Sequence, residues 1–296
     1  MLLTAVVVVE AGSQRAERVA EVVGPRPHSG PPPEADAVPE VPRTASSPGI
    51  PAPRAGLAAA ATAAVDALAA GTPGLTVAVA VLDRATGETA AGSAAGAPLY
   101  SASLVKILVA VDVLQRRRGG LAVHEDDIAL IRRALGPSDD QAMNALWVRF
   151  DGYGAVGRVA GQLDLAETRV PQDPSQWGEA EMSASDVVRL YDHVLTGLPA
   201  ADRELIMGAI GAAPPVATDG FDQTFGLLEP HGPPVTSKQG WMCCLDGRIT
   251  LHSAGTLDTE RRFVVALLSS QPRAAGYESA RATLTAAADA TRAALL

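Results

Sequence analysis

A serine and a lysine stand three residues apart at the start of a strongly apolar segment. The segment runs from Tyr100 to Leu114 and reads YSASLVKILVAVDVL, with Lys106 as its one basic residue. On a helix, residues three apart share a face, so the hydroxyl of Ser103 and the amine of Lys106 can touch. Burial lowers the pKa of a lysine, and a neutral amine can take the proton of a neighbouring hydroxyl. The pair therefore predicts an activated serine nucleophile, whereas a lone lysine here would be explained by snorkelling to water.

Two other short segments carry residues that acyl transfer needs. PSDDQAMN brings Ser138 and Asp140 to a junction between predicted helices, and SKQGW brings Lys238 onto a predicted strand. Each has a structural explanation of its own, because Ser138 with Gln141 fits a helix capping box and Lys238 fits an edge strand. Together with the serine and lysine of the apolar segment, they favour a catalytic site.

The three segments, in this order, resemble S-x-x-K, S-D-N and K-T-G, the motifs of the class A β-lactamases and penicillin-binding proteins. The resemblance extends over nearly all of Gly56 to Leu296. It implies that Ser103 is the acylating nucleophile and Lys106 its base. It also implies that Ser138 relays the proton to the leaving group and that Lys238 holds Ser138 and a substrate carboxylate in a positive field. The backbone N–H groups of Ser103 and Trp241 would form the oxyanion hole, and Asn144 would be structural support. The residues implied to contact the substrate are Asp140, Gln239, Gly240 and Trp241.

The sequence departs from the family pattern in four places, one of which is the stretch from Ser103 to Ser138, shorter than in typical class A enzymes. Asp140 stands where the family has the Asn of S-D-N, and Gln239 replaces the Thr of K-T-G. Asp173, in a shortened and shifted loop, is the nearest match to the glutamate that activates the deacylating water in class A enzymes. Because a misplacement of about 1 Å can cost on the order of 100-fold in rate, slow deacylation is expected even with Asp173 in that role. Glu179 and Glu181 are expected to be solvated loop charges.

The pattern of elements predicts an α+β fold in which an antiparallel sheet, flanked by the terminal helices, packs against a separate helical lobe. A hairpin precedes the apolar segment, and further helices follow from about His124 to Ile210. In that region DGYGAVG matches G-x-G-x-x-G, but no strand precedes it, so it is interpreted as a turn between helices. Strands and an Ala-rich helix from about Tyr277 end the chain. The catalytic cleft should lie between sheet and lobe.

Composition and segment boundaries indicate where the protein works. The net charge of −9 and the pI near 5.1 argue against nucleic acid as a partner. Residues 1–24 form an apolar segment, interpreted as a truncated signal or anchor, residues 25–54 a proline-rich disordered linker, and residues 55–296 the hydrolase domain. This order predicts an extracytoplasmic protein, secreted or tethered to a membrane through its N-terminus.

Cysteine and histidine positions give no sign of a metal site. Cys243 and Cys244 are adjacent, and they are expected to point to opposite faces of a strand, with a vicinal disulfide as the alternative. The histidines show no ligand spacing, so no metal or organic cofactor is implied. They are His28, His124, His193, His231 and His252.

The expected function is that of a serine hydrolase related to class A β-lactamases, acting on an amide, lactam or ester through an acyl-enzyme on Ser103. Its partner would be a small molecule or peptide, such as a β-lactam or a D-Ala-terminated peptide. Two alternatives stay open: a D-alanyl-D-alanine carboxypeptidase of the penicillin-binding protein type, and a non-catalytic binding protein on the same fold.

Overall fold

A five-stranded antiparallel sheet forms the centre of the protein in a computed structural model, which describes residues 54–229 and 234–296. Its strands are β1 Thr76–Asp83, β2 Glu88–Ala91, β5 Val235–Cys243, β6 Arg248–Leu257 and β7 Phe263–Pro272. They lie in the order β2-β1-β7-β6-β5, so β5 is an edge strand. A separate two-stranded ribbon pairs β3 Leu99–Tyr100 with β4 Glu181–Met182. The segments interpreted as an apolar N-terminus and a linker lie outside the described residues, apart from residue 54.

Eight α-helices are present in the described ranges. They are α1 Leu57–Ala69, α2 Val105–Arg118, α3 Glu125–Leu135, α4 Asp140–Arg149, α5 Gly152–Leu163, α6 Ala184–Asp192, α7 Ala200–Gly211 and α8 Gly276–Leu295. The first and last of them pack against each other and against one face of the sheet. Helices α2 to α7 form the lobe that the sequence predicts between the two groups of strands.

The central strands are covered on both faces, which explains their long apolar runs. In β1, Val77, Val79 and Val81 pack in the cluster with α1 and α8, whereas Ala78 and Ala80 pack in the cluster of the helical lobe. This alternation is the period of two that a strand imposes on its side chains. A strand buried on both faces reads as a nearly continuous apolar stretch instead of an alternating one.

Helix α2 is the central helix of the lobe. All residues from Val105 to Leu114 are buried, including the two charged ones, Lys106 and Asp112. Asp112 is neutralised by Arg158, whose guanidinium donates to both of its carboxylate oxygens at 2.8 Å. Because a buried charge without a partner costs several kcal/mol, the surroundings of Lys106 must also supply one.

The interpretation of DGYGAVG as a turn is wrong. Helix α5 begins at Gly152, and the carboxylate of Asp151 caps it by accepting from the backbone N–H of Gly154 at 3.1 Å. A β-carbon at Gly152 would collide with the ring of Trp147, so this glycine allows a close contact inside the helix pair. Gly152 therefore serves packing between α4 and α5.

The fold class is α+β, as the sequence predicts, with the antiparallel sheet flanked by the terminal helices and the helical lobe on its other face. Among the residues that the structure describes, none of the helices has the combination of length and apolar character needed to cross a bilayer.

Candidate active site

Ser103 lies where the helical lobe meets the edge of the sheet. It sits in the short 3-10 turn Ala102–Leu104 that leads into α2, and its residue is only 4% exposed. Strand β5 approaches this turn closely at Gly240, where an added β-carbon would lie 3.3 Å from the Ser101 carbonyl oxygen and 3.4 Å from the Ser103 nitrogen. The absence of a side chain at Gly240 therefore lets the strand fix the backbone of Ser103.

Lys106 lies at the floor of the site, where its amine contacts several polar atoms. Its amine donates to the Ser138 carbonyl oxygen at 2.7 Å, to Ser138 Oγ at 3.2 Å and to Asp140 Oδ1 at 2.7 Å. The predicted direct contact with Ser103 is not seen, since no hydrogen bond joins Ser103 Oγ to Lys106 Nζ in residues 54–229 and 234–296. The carboxylate of Asp140, where the family has an amide, draws the amine toward α4.

Ser138 lies between two amines. Besides the contact with Lys106, its Oγ accepts from Lys238 Nζ at 2.8 Å, and that amine also donates to the Gln239 carbonyl oxygen at 2.9 Å. The capping-box explanation of Ser138 is wrong, because Asp139 caps α4 and accepts from two backbone N–H groups. The Ser138 hydroxyl is therefore left for the site.

The hydrogen-bond partners indicate different charges on the two lysines. A lysine ammonium has three N–H donors, and Lys106 has three acceptors around it, one of them the carboxylate of Asp140. Lys238 has two acceptors and is fully buried, and burial together with the positive charge of Lys106 holds its pKa well below the usual range. Burial also lowers the pKa of Lys106, but Asp140 opposes that shift. We therefore assign the charge to Lys106 and a neutral amine to Lys238.

The charges of the two lysines can be measured directly, because Lys106 and Lys238 are the only two lysines among the 24 lysine and arginine residues of the sequence. Carbon-13 labelling of the lysine side chains should give two ε-carbon signals, assigned by loss of one in Lys106→Arg. We expect Lys238 to lose its proton at a lower pH than Lys106. The opposite order, or titration of both amines near pH 10, would contradict the assignment.

Gln239 does not contact the cleft, which corrects its assignment as a substrate-binding residue. Its side chain is fully buried, donates to the carbonyl oxygens of Gln223 and Phe225, and accepts from the Ser237 hydroxyl at 3.1 Å. Successive residues of a strand face opposite sides, so a lysine directed to Ser138 sends the next side chain to the other face. Gln239 therefore ties β5 to the loop before it.

A cleft of about 390 Å³ opens next to Ser103. Its wall includes Asp140, Asn144, Trp177, Glu179, Trp241 and Met242. Trp177 lies over Lys106, with the amine 4.9 Å from the ring centroid, and its Nε1 donates to Asn144 Oδ1 at 2.7 Å. A lone tryptophan in a loop belongs to no motif, so this contact could not be predicted from the sequence.

Asp173 is not at the cleft, so its assignment as a deacylation carboxylate is wrong. The residue is exposed, and its carboxylate accepts from the Ser175 backbone N–H at 2.8 Å, which lowers its pKa. The loop is held instead by Trp147, whose Nε1 donates to the Pro174 carbonyl oxygen at 2.8 Å. Glu179, expected to be a solvated loop charge, is the acidic residue of this loop that lines the cleft.

Trp241 forms the opposite wall and is fixed by residues that the sequence did not point to. Its ring stacks on Phe221 with a centroid distance of 4.7 Å, and its Nε1 donates to Asp219 Oδ2 at 2.9 Å. Asp219 thereby brings a carboxylate to the rim. Neither residue belongs to a motif, and the tertiary fold alone brings them to β5.

Beyond Trp241, the structure pairs Cys243 and Cys244 as a vicinal disulfide, so the preferred expectation of opposite-facing side chains is wrong. Within the described ranges, no group of three or more His, Cys, Asp or Glu side chains is arranged to hold a metal ion.

Comparison with known proteins identifies both relatives and fold. No family model matches the chain. LppW of Mycobacterium tuberculosis, named as a lipoprotein, is 34% identical over 219 residues, which cover 72% of this chain and 68% of LppW. A β-lactamase structure from Xanthomonas campestris superimposes with a TM-score of 0.65 at 18% identity, covering 81% of this chain and 99% of that one. The structure of PBP-A gives a TM-score of 0.61 at 16% identity, with 79% and 96% covered.

Proposed function

This chain belongs to the family of LppW and has the fold of the class A β-lactamases and penicillin-binding proteins, and from that premise we propose that it is a serine hydrolase acting through an acyl-enzyme on Ser103. The observation that carries the proposal is the convergence of Lys106 and Lys238 on Ser138 Oγ, at 3.2 Å and 2.8 Å, beside a cleft that Ser103 lines. Burying two amines against one hydroxyl costs desolvation free energy. Such an arrangement is typical of a catalytic site, and proton transfer at Ser103 would explain it here.

The proposed reaction begins with attack of Ser103 Oγ on the acyl carbon of an amide, lactam or ester. Lys106 first passes its own proton through Ser138 Oγ to the neutral amine of Lys238 and turns from Asp140 toward Ser103. The neutral Lys106 amine then accepts the Ser103 hydroxyl proton. The backbone N–H groups of Ser103 and Trp241 stabilise the oxyanion. Ser138 then delivers a proton to the leaving nitrogen or oxygen, the bond to that atom breaks, and an ester on Ser103 remains for water to hydrolyse.

Release of the acyl group is proposed to be the slow step. Asp173 is exposed and turned into its own loop, and Trp177 lies over Lys106 on the side of the same loop. A water that attacks the acyl-enzyme therefore has no help from Asp173. This favours a long-lived acyl-enzyme over rapid β-lactam turnover.

A non-catalytic binding protein is the second candidate, and one observation favours it. The amine of Lys106 donates to Ser138 and Asp140, with no hydrogen bond to Ser103 Oγ in the described part of the chain. A site that had lost its chemistry could keep this ion pair for stability alone. The carboxypeptidase alternative has the likeness to PBP-A in its favour.

Intact-mass measurement after incubation with a penicillin, a D-Ala-D-Ala peptide and an activated ester tests the proposal. We expect the ester or the penicillin to add its acyl mass, and peptide mapping to locate it on Ser103. Release of D-Ala would favour the carboxypeptidase. If all three compounds leave the mass unchanged and no product forms, the binding protein is favoured instead.

An extracytoplasmic location, secreted or tethered at the N-terminus, is part of the proposal. The lipoprotein name of LppW supports it.

A further inference from the structure

We propose that the substrate of this cleft presents a cationic organic group, and not a carboxylate, to the wall formed by Trp177, Glu179 and Trp241 and to Asp219 at its rim. This inference rests on the proposed function and names the substrate class of the same site.

The positive charges of the site are already used. Lys106 is paired with Asp140 at 2.7 Å, and Lys238 is buried and bonded to Ser138 Oγ and the Gln239 carbonyl oxygen. In the described part of the chain, no arginine is among the residues that line the cleft. A substrate carboxylate would therefore lose its water without gaining a free cation, which is unfavourable.

The polar contact that could compensate is missing as well. Gln239, in the place of a hydroxyl residue, directs its amide to the opposite face of β5, where Gln223 and Phe225 bind it. The side chain cannot turn back without leaving these carbonyl oxygens unpaired in the core.

The negative charges are in excess. Asp140 balances Lys106, which leaves Glu179 on the cleft wall and Asp219 at the rim. Neither has a basic side chain within ion-pair distance among the described residues. Asp219 bonds only to neutral donors, the Trp241 Nε1 at 2.9 Å and the Phe221 backbone N–H at 3.0 Å.

Two aromatic side chains add to the effect of these charges. Trp177 and Trp241 border the cleft, and the face of a tryptophan ring attracts a cation. A cleft with Glu179 in its lining, the exposed carboxylate of Asp219 at its rim and two tryptophan rings suits an ammonium or guanidinium group on the substrate.

Three acetate esters with the same two-carbon spacer test the inference: acetylcholine, its isosteric neutral analogue 3,3-dimethylbutyl acetate, and the smaller anion 3-acetoxypropanoate. At low ionic strength we expect kcat/KM for acetylcholine to exceed that of the neutral ester by about tenfold, and that of the anion by more. The advantage should shrink as salt is added.

Variants identify the groups responsible. Asp219→Asn keeps an acceptor for Trp241, and Glu179→Gln keeps the length of its side chain, so the double variant should reduce the preference to about twofold. Glu260→Gln is the matched control, because Glu260 is an exposed acid in the turn between β6 and β7. We expect it to leave the preference unchanged.

Binding measured without catalysis separates this inference from the proposed function. Two of the three tryptophans line the cleft, so the fluorescence of Ser103→Ala should report occupancy. Tighter binding of acetylcholine than of the anion, with no acylation of the wild-type protein by the penicillin, the peptide or the activated ester, would refute the hydrolase and support the cationic ligand. Equal binding of all three esters, no binding at millimolar concentrations, or preference for the anion would overturn the inference.

Discussion

Ser103→Ala is expected to lower acylation of the protein by an activated ester or a penicillin by about 1,000-fold or more, because no other group replaces an attacking hydroxyl. The fold should be unaffected, since the side chain takes part in no hydrogen bond within the described residues. Stopped-flow or quenched mass spectrometry measures the rate, and thermal unfolding monitors the fold.

Ser101→Ala is the matched control for this experiment. Ser101 is as buried as Ser103 and lies two residues before it, but its hydroxyl has only a weak contact, at 3.5 Å, with the Ala102 carbonyl oxygen. We expect the control to acylate at close to the wild-type rate. Equal rates in Ser103→Ala and the wild-type protein would show that the adduct forms on another residue.

Lys106→Met is expected to lower the same acylation rate on the order of 1,000-fold, since it removes the proposed base. The methionine retains the unbranched stem of the lysine. Asp140, whose side chain is 55% exposed, can keep its charge by turning to water. The variant should therefore fold, and the loss of rate can be measured on the soluble protein.

Two further variants distinguish a base from a mere positive charge. Lys106→Arg keeps the cation opposite Asp140 but cannot accept a proton near neutral pH, so it should be as slow as Lys106→Met. Asp140→Asn retains an oxygen for the Lys106 amine and removes the charge that favours its protonated form, so its acid limb should shift to lower pH. A fast Lys106→Arg, or an unmoved acid limb, would exclude Lys106 as the base.

The elements and the order of the motifs could be predicted because they depend on local pattern. Apolar runs bounded by turn residues predict the strands. The spacing of Ser103 and Lys106 predicts that both residues lie at the start of one helix. The direction of a side chain is a different matter. Lys106 points to Asp140 because a carboxylate two residues after Ser138 outcompetes a neutral hydroxyl for an ammonium, and spacing along one helix contains no information about another.

The predictions that placed Gln239 and Asp173 at the site differ from the structure for related reasons. A motif aligned letter by letter assigned each to the site, but strand alternation turns Gln239 into the core and a short loop turns the Asp173 carboxylate toward Ser175. The walls of the cleft, Trp177 and Trp241 with Asp219, depend on contacts between distant segments. The composition contained one usable signal for the site. Of the lysine and arginine residues of the chain, all are arginine except the two lysines at the site.

Ser138 has a backbone φ of 56°, a left-handed conformation that costs most residues on the order of 1 kcal/mol and costs glycine almost nothing. A glycine here would relieve that strain, but it would leave the buried amines of Lys106 and Lys238 without their shared acceptor, at a cost of about 1–3 kcal/mol. The two amines therefore hold the serine in a conformation that its own backbone disfavours, so stability and site geometry depend on the same oxygen atom.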